Sequence, residues 1–103
     1  MRLIAVASIS LFCFALLLGN FVLIAMHEDA HKQIFSNFGV ESKLVWDFGG
    51  AKTFAISSIP KEHYSSLYFL QSQNEIVGYH AIALFNAFAL IVFSVAIIHK
   101  EWK

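Results

Sequence analysis

Leu3–Met26 reads LIAVASISLFCFALLLGNFVLIAM, 24 residues without a charge. About 20 apolar residues suffice to cross the hydrocarbon core of a bilayer. Ile76–Ile98, IVGYHAIALFNAFALIVFSVAII, is a second run of 23 residues without Asp, Glu, Lys or Arg. Its polar members are His80, Asn86 and Ser94. Two transmembrane helices are expected. A cleaved signal peptide fits the first run badly, because the run is too long and no Ala-x-Ala site closes it. An uncleaved anchor is the expectation.

The rest of the composition agrees. Of the 103 residues, 58% are hydrophobic and 14% charged, with seven Lys/Arg against seven Asp/Glu. Soluble domains carry about 25% charged residues. The length leaves no room for two domains. The hydrophobicity excludes disorder, and the missing basic excess argues against nucleic acid as a partner. The single cysteine, Cys13, excludes a disulfide framework and is assigned to packing in the membrane.

Between the spans lies His27–Glu75, about half of the chain. Residues 28–38 read as a continuation of the first helix, with Gly39 as its C-cap. Leu44-Val45-Trp46 and Phe54-Ala55-Ile56 read as short strands around the turn Asp47-Phe48-Gly49-Gly50. Ser58-Ile59-Pro60-Lys61-Glu62 reads as a helix start. That helix is expected to run into the second span, with a break near Gln71–Asn74. The expected fold is a membrane α-helical hairpin with a small α+β extramembrane segment containing a β-hairpin. As a single domain, residues 1–103 divide into a transmembrane helix at 3–26, continuing as helix to about 38, an extramembrane segment at 27–75 and a second transmembrane helix at 76–98.

Arg2, Lys100 and Lys103 flank the spans against Glu101, whereas the middle carries four lysines and six acids. By the positive-inside rule the expected protein is integral and two-pass, with both termini cytoplasmic and the middle extracytoplasmic. His99, Trp102 and the terminal lysines read as interfacial anchors.

At the edge of the first span stands His27-Glu28-Asp29-Ala30-His31, an H-E-x-x-H on a predicted helix. Residues i and i+4 share a helix face, so both imidazoles can hold one zinc ion. Glu28, beside the first histidine, is placed to act as general base toward a water. The plain alternative is chance, since His and Glu both suit a membrane edge. A catalytic zinc needs a third protein ligand. The candidates are Glu75, His63, His80, Glu62, Asp47 and Glu41. Glu75 leads, because an antiparallel hairpin brings the end of the first span beside the start of the second. Its plain reading is an acid at a helix N-terminus.

A register argument supports Glu75. Asn20 precedes His31 by 11 residues, and Asn86 follows Glu75 by 11. Eleven residues make about three turns, so each Asn shares a face with its site residue. Setting His31 level with Glu75 sets Asn20 level with Asn86 and His27 level with Tyr79. The amides could then bridge the helices. His80 stands about 140° around the helix from Glu75 and is not expected to share its metal. Tyr79 shares the Glu75 face. It is the candidate oxyanion donor, with His63 as the other. Their plain readings are an interfacial aromatic and a solvated helix residue.

His27-Glu28-x-x-His31 resembles the signature of the zincin metallopeptidases. Asn74-Glu75 resembles the Asn-Glu of the gluzincins, in which a Glu on a second helix is the third ligand. A weaker resemblance is to site-2-type membrane proteases. There the motif also ends an apolar span, followed by a Gly-Val pair, here Gly39-Val40, and a glycine-containing β-segment, here Phe48-Gly49-Gly50. The Leu-Asp-Gly of that family and a third core span are absent, and Ala30 stands where its motif has Gly. The resemblance implies zinc and a proteolytic core.

Two functions follow as expectations. The first is an integral-membrane zinc metallopeptidase with His27, His31 and Glu75 as ligands, and Glu28 and Tyr79 in catalysis. Its partners are membrane lipid, a peptide or protein substrate bound along the hairpin edge, and a second copy or partner subunit completing a small substrate surface. The alternative is a non-enzymatic two-span subunit of a larger membrane complex. A weaker third is haem between His27 or His31 and His80, which the angular argument disfavours.

Overall fold

The computed structural model describes residues 2–48 and 50–101. Gly49 of the expected turn, and Trp102 and Lys103 among the expected anchors, lie outside the described residues. The order of elements is helix α1 (Arg2–Asn37), strands β1 (Ser42–Asp47) and β2 (Gly50–Ala55), a 3₁₀ turn at Lys61–His63, and helix α2 (Tyr64–Glu101). The molecule measures 63 × 22 × 18 Å.

Both helices are long and apolar enough to cross a membrane. Their outward residues are large and apolar, among them Phe14, Leu17 and Phe21 on α1 and Leu84, Phe88 and Ile91 on α2. In hydrocarbon a helix is one of the few structures that satisfies its own backbone. Cys13 is exposed on α1 rather than packed between the helices, because α2 covers a narrow stripe and Cys13 lies off it.

α1 ends as the sequence predicts. Gly39 takes φ +72°, a conformation that favours glycine. Val40 N–H donates to Phe35 C=O (2.9 Å) and Gly39 N–H to Ser36 C=O (3.0 Å). This is the Schellman pair of hydrogen bonds. Val40, the residue after the turn, is buried, as is Leu67 of α2. Phe38 packs its ring on His63, with centroids 5.3 Å apart.

The chain then reverses and runs back along α1. β1 and β2 are antiparallel, from Ser42 opposite Ala55 to Asp47 opposite Gly50. β2 starts at Gly50, four residues earlier than the expected Phe54, because pairing begins directly at the turn. Ile56 lies past the strand, yet its N–H still donates to Glu41 C=O (2.8 Å). The sheet face carrying Leu44, Trp46, Ala51 and Thr53 turns toward α1: Trp46 stacks on Phe21 with ring centroids 4.9 Å apart. Thr53 bonds to Glu28 (Oγ1 to Oε2 2.7 Å).

Pro60 precedes the 3₁₀ turn instead of sitting within it, and His63 N–H closes that turn on Pro60 C=O (3.0 Å). The break expected at Gln71–Asn74 is absent, and α2 runs unbroken through it. The polar side chains there reach across to α1 carbonyls instead of competing for their own backbone. Gln71 Nε2 donates to His31 C=O (3.2 Å) and Asn74 Nδ2 to His27 C=O (3.1 Å).

The expected register is present. Asn20 Nδ2 donates to Asn86 Oδ1 (2.9 Å), and Asn86 Nδ2 returns the bond to Asn20 Oδ1 (2.7 Å). Each amide also donates to the carbonyl four residues back, at Leu16 and Ile82. One level away, Phe85 fills the space above Gly19, where a Cβ would meet its ring at 2.2 Å. Phe12 stacks on Phe93 beyond that.

Candidate metal centre

α1 presents His27 and His31 one turn apart, and α2 brings Glu75 against them. One ligand atom from each lies within 4.8 Å of the others. The His27 and His31 Nε2 atoms are 3.2 Å apart, and His27 Nε2 is 3.2 Å from Glu75 Oε1. A tetrahedron with zinc–nitrogen bonds of 2.0–2.1 Å has edges of about 3.3 Å. His31 Nε2 also contacts Glu75 Oε1 directly.

The hydrogen bonds decide what this cluster needs. Gln71 Nε2 is occupied by the His31 carbonyl, which turns Gln71 Oε1 toward the His31 ring. That oxygen can only accept, so His31 Nδ1 donates to it. His31 Nε2, on the other side of the ring, faces the Glu75 carboxylate and His27 Nε2. A proton shared between His31 and the carboxylate pairs them as an ion pair, and a metal ion held by all three groups fits the same place. Gln71 is the kind of outer partner that fixes a metal-binding histidine's tautomer.

His27 is held differently. Its side chain is 8% exposed, and its Nδ1 is buried without a hydrogen-bond partner. The ring lies over Gly78, where a Cβ would come within 2.0 Å of Nδ1. Packing against a bare backbone therefore sets this ring.

Glu75 closes the open side, with 41% of its side chain exposed. It stands one residue outside the charge-free run 76–98. Partial burial pushes its carboxyl up. Hydrogen bonds from His31 and Tyr79, with the charge of both imidazoles, outweigh this and hold it below the ordinary carboxylate value.

Glu28, His31, Glu75 and Tyr79 line one cavity of about 620 Å³, together with Ala51–Phe54 of β2. Glu28 is buried, and the Thr53 hydroxyl donates to its Oε2. The Tyr79 ring lies 5.9 Å from that of His27. His63 stays with Phe38. His80 is exposed, with Nδ1 on the Ile76 carbonyl (2.7 Å), so the haem arrangement has no second axial histidine beside His27 or His31. Among the described residues, the group able to hold a metal is His27, His31 and Glu75; His63, His80, Glu62, Asp47 and Glu41 are not in it.

Sequence reasoning missed Gln71, Thr53 and Gly78. Gln71 and Gly78 carried a signal, since they lie four residues before and three after Glu75 and so share its helix face. Thr53 carried none, because its contact depends on how the hairpin docks. No protein-family model, curated protein or solved structure matches this chain.

Proposed function

We propose that this chain is an integral-membrane zinc metallopeptidase that hydrolyses peptide bonds at the membrane interface. The observation that carries the reading is the convergence of His27, His31 and Glu75 around one point, with Glu28 lining the same cavity as His31 and Glu75. His27, His31 and Glu75 would hold zinc, which supplies Lewis acidity when bound. Their nitrogen and carboxylate donors suit that ion. Glu28 takes the proton of the attacking water, with Thr53 fixing its carboxylate. Tyr79 donates to the oxyanion that develops on the scissile carbonyl. β2 is hydrogen-bonded along one edge only, and its free edge offers an extended peptide a strand to pair with. The charge bias places both termini in the cytoplasm and the site outside.

The test uses the purified chain in lipid nanodiscs, with metal content read by mass spectrometry and cleavage read on a quenched-fluorescent peptide library. About one zinc per chain is expected. Glu28→Gln is expected to keep zinc and lose on the order of 10²–10⁴ in rate. Absence of stoichiometric metal from the wild type sinks the proposal.

The second reading, a non-enzymatic subunit of a larger membrane complex, draws on one observation. Among the described residues, the buried apolar side chains are Val40 and Leu67, so the helix pair leaves most of its apolar surface for lipid or another chain. A fixed partner that co-purifies with the metal-free protein, and without which the protein unfolds, favours this reading.

A further inference from the structure

The hairpin does not project away from the apolar helices. Its base lies beside the end of α1, its middle bonds to Glu28 through Thr53, and its tip reaches Phe21 through Trp46. Phe21 lies six residues before His27, about 9 Å farther along the helix. It belongs to the charge-free run Leu3–Met26, of which the hydrocarbon core needs about 20 residues. The tip therefore descends to the level where the apolar run meets the polar edge. The residues there are the wrong ones for water. Phe48 is fully exposed, Trp46 is 41% exposed and Val45 is exposed. Trp46 joins this surface to Phe21 of α1 by stacking, and Leu17, Phe21 and Val22 of α1 are themselves exposed. On the outward face Val45 pairs with Lys52, and Lys43 with Phe54. Both lysines are exposed, and long enough to reach lipid phosphates from beside a buried aromatic. Trp is also the side chain that favours the headgroup level.

We propose that the hairpin tip, Trp46 and Phe48, is an interfacial anchor seated at the boundary between headgroups and acyl chains. Its partner is lipid. This rests on the two-span reading of α1 and α2. The anchor holds β2, and with it the cavity of the metal centre, at the membrane surface. Asp47, between the two aromatics and engaged in an interaction of its own, fits the boundary and not the hydrocarbon centre.

The experiment uses the full chain in phosphatidylcholine vesicles containing lipids with a nitroxide either near the acyl carbonyl or near the chain end. In Trp102→Phe, the emission of Trp46 is expected to be lost mainly to the shallow nitroxide and little to aqueous iodide. Phe48→Trp, in a Trp46→Phe/Trp102→Phe background, reads the tip independently should Trp46 prove necessary for folding. In that background Phe14→Trp reports on the span itself and is expected to be quenched by the deep nitroxide. Tips quenched only by iodide, with position 14 quenched in depth, overturn the anchor while the two spans stand. Position 14 untouched by either nitroxide removes the spans, and the anchor with them.

Discussion

α1 and α2 meet through polar groups at two levels, and both levels are built from the same parts. In the middle of the apolar runs, Gly19 makes room for the Phe85 ring and Asn20 bonds to Asn86. At the edge of the apolar runs, Gly78 makes room for the His27 ring, while Gln71 and Asn74 bond to α1 carbonyls. The difference lies in what is left over. Around the Asn pair both amide groups donate twice and both oxygens accept. At the edge, His27, His31 and Glu75 bring one ligand atom each within 4.8 Å of the others, and on the Gly78 side of its ring His27 Nδ1 has no hydrogen-bond partner. Buried polar groups that satisfy each other hold a fold together, whereas two imidazoles and a carboxylate this close form a group that a proton or a metal ion can bridge.

The largest break in this comparison is His31→Ala. It removes a proposed ligand, the one whose Nδ1 Gln71 engages, and zinc content is expected to fall from about one per chain to none. Helix content by circular dichroism should hardly change, because the mid-span level is untouched. Retained stoichiometric zinc in this variant would mean that the cluster is not the metal site.

Gly78→Ala and Gly19→Ala form a matched pair. Alanine is the better helix former by about 1 kcal/mol, so neither change harms its own helix. At Gly78 the added Cβ enters the space of the His27 ring. A loss of about 100-fold in zinc affinity is expected, the upper end for residues that orient a ligand. At Gly19 the Cβ meets Phe85 instead, which should lower thermal stability and leave zinc affinity within about twofold, since distant sites act nearly independently. Equal zinc loss in both would show that helix spacing, not the seat of His27, controls the site. Competition with a chelating dye measures each.

The two levels were unequally legible in the sequence. The spans follow from the absence of charge, and the H-E-x-x-H follows from i, i+4 spacing. The 11-residue intervals to Asn20 and Asn86 set the register and placed Glu75 beside His31. Gly39 was legible as a cap because few other residues tolerate φ +72°. What could not be read depends on contacts between elements. Thr53 meets Glu28 only because the hairpin folds back along α1. The run at Gln71–Asn74 looked like a helix break, since polar side chains in isolation compete for their own backbone. With α1 carbonyls within reach, they spend that capacity across the interface and the helix continues.

Gln71→Leu sharpens the edge level with a smaller effect. It keeps the side-chain volume and removes both the acceptor of His31 Nδ1 and the donor to the His31 carbonyl. Zinc affinity is expected to fall about tenfold, the lower end for such partners. Gln71→Glu restores an acceptor at Nδ1 and should recover most of that affinity. Failure of Glu to recover it would assign the role of Gln71 to its backbone bond instead.

The smallest effect tests whether the mid-span level is purely structural. Asn20→Leu leaves the Asn86 amide without its partner, and the reverse holds for Asn86→Leu. Interhelical hydrogen bonds in membranes contribute about 1 kcal/mol, and each single change should cost about that much in a detergent unfolding assay. The double change removes both polar groups together and leaves neither stranded, so its cost should fall below the sum of the singles. Zinc content should remain about one per chain in all three, because the register at the edge is also held by Gln71, Asn74 and the seat of His27 on Gly78. Additive costs would mean that each amide acts through its own i−4 carbonyl, at Leu16 or Ile82. Zinc lost from the double variant would mean that the amide pair, eleven residues from His31 along α1, is what keeps Glu75 level with the histidines.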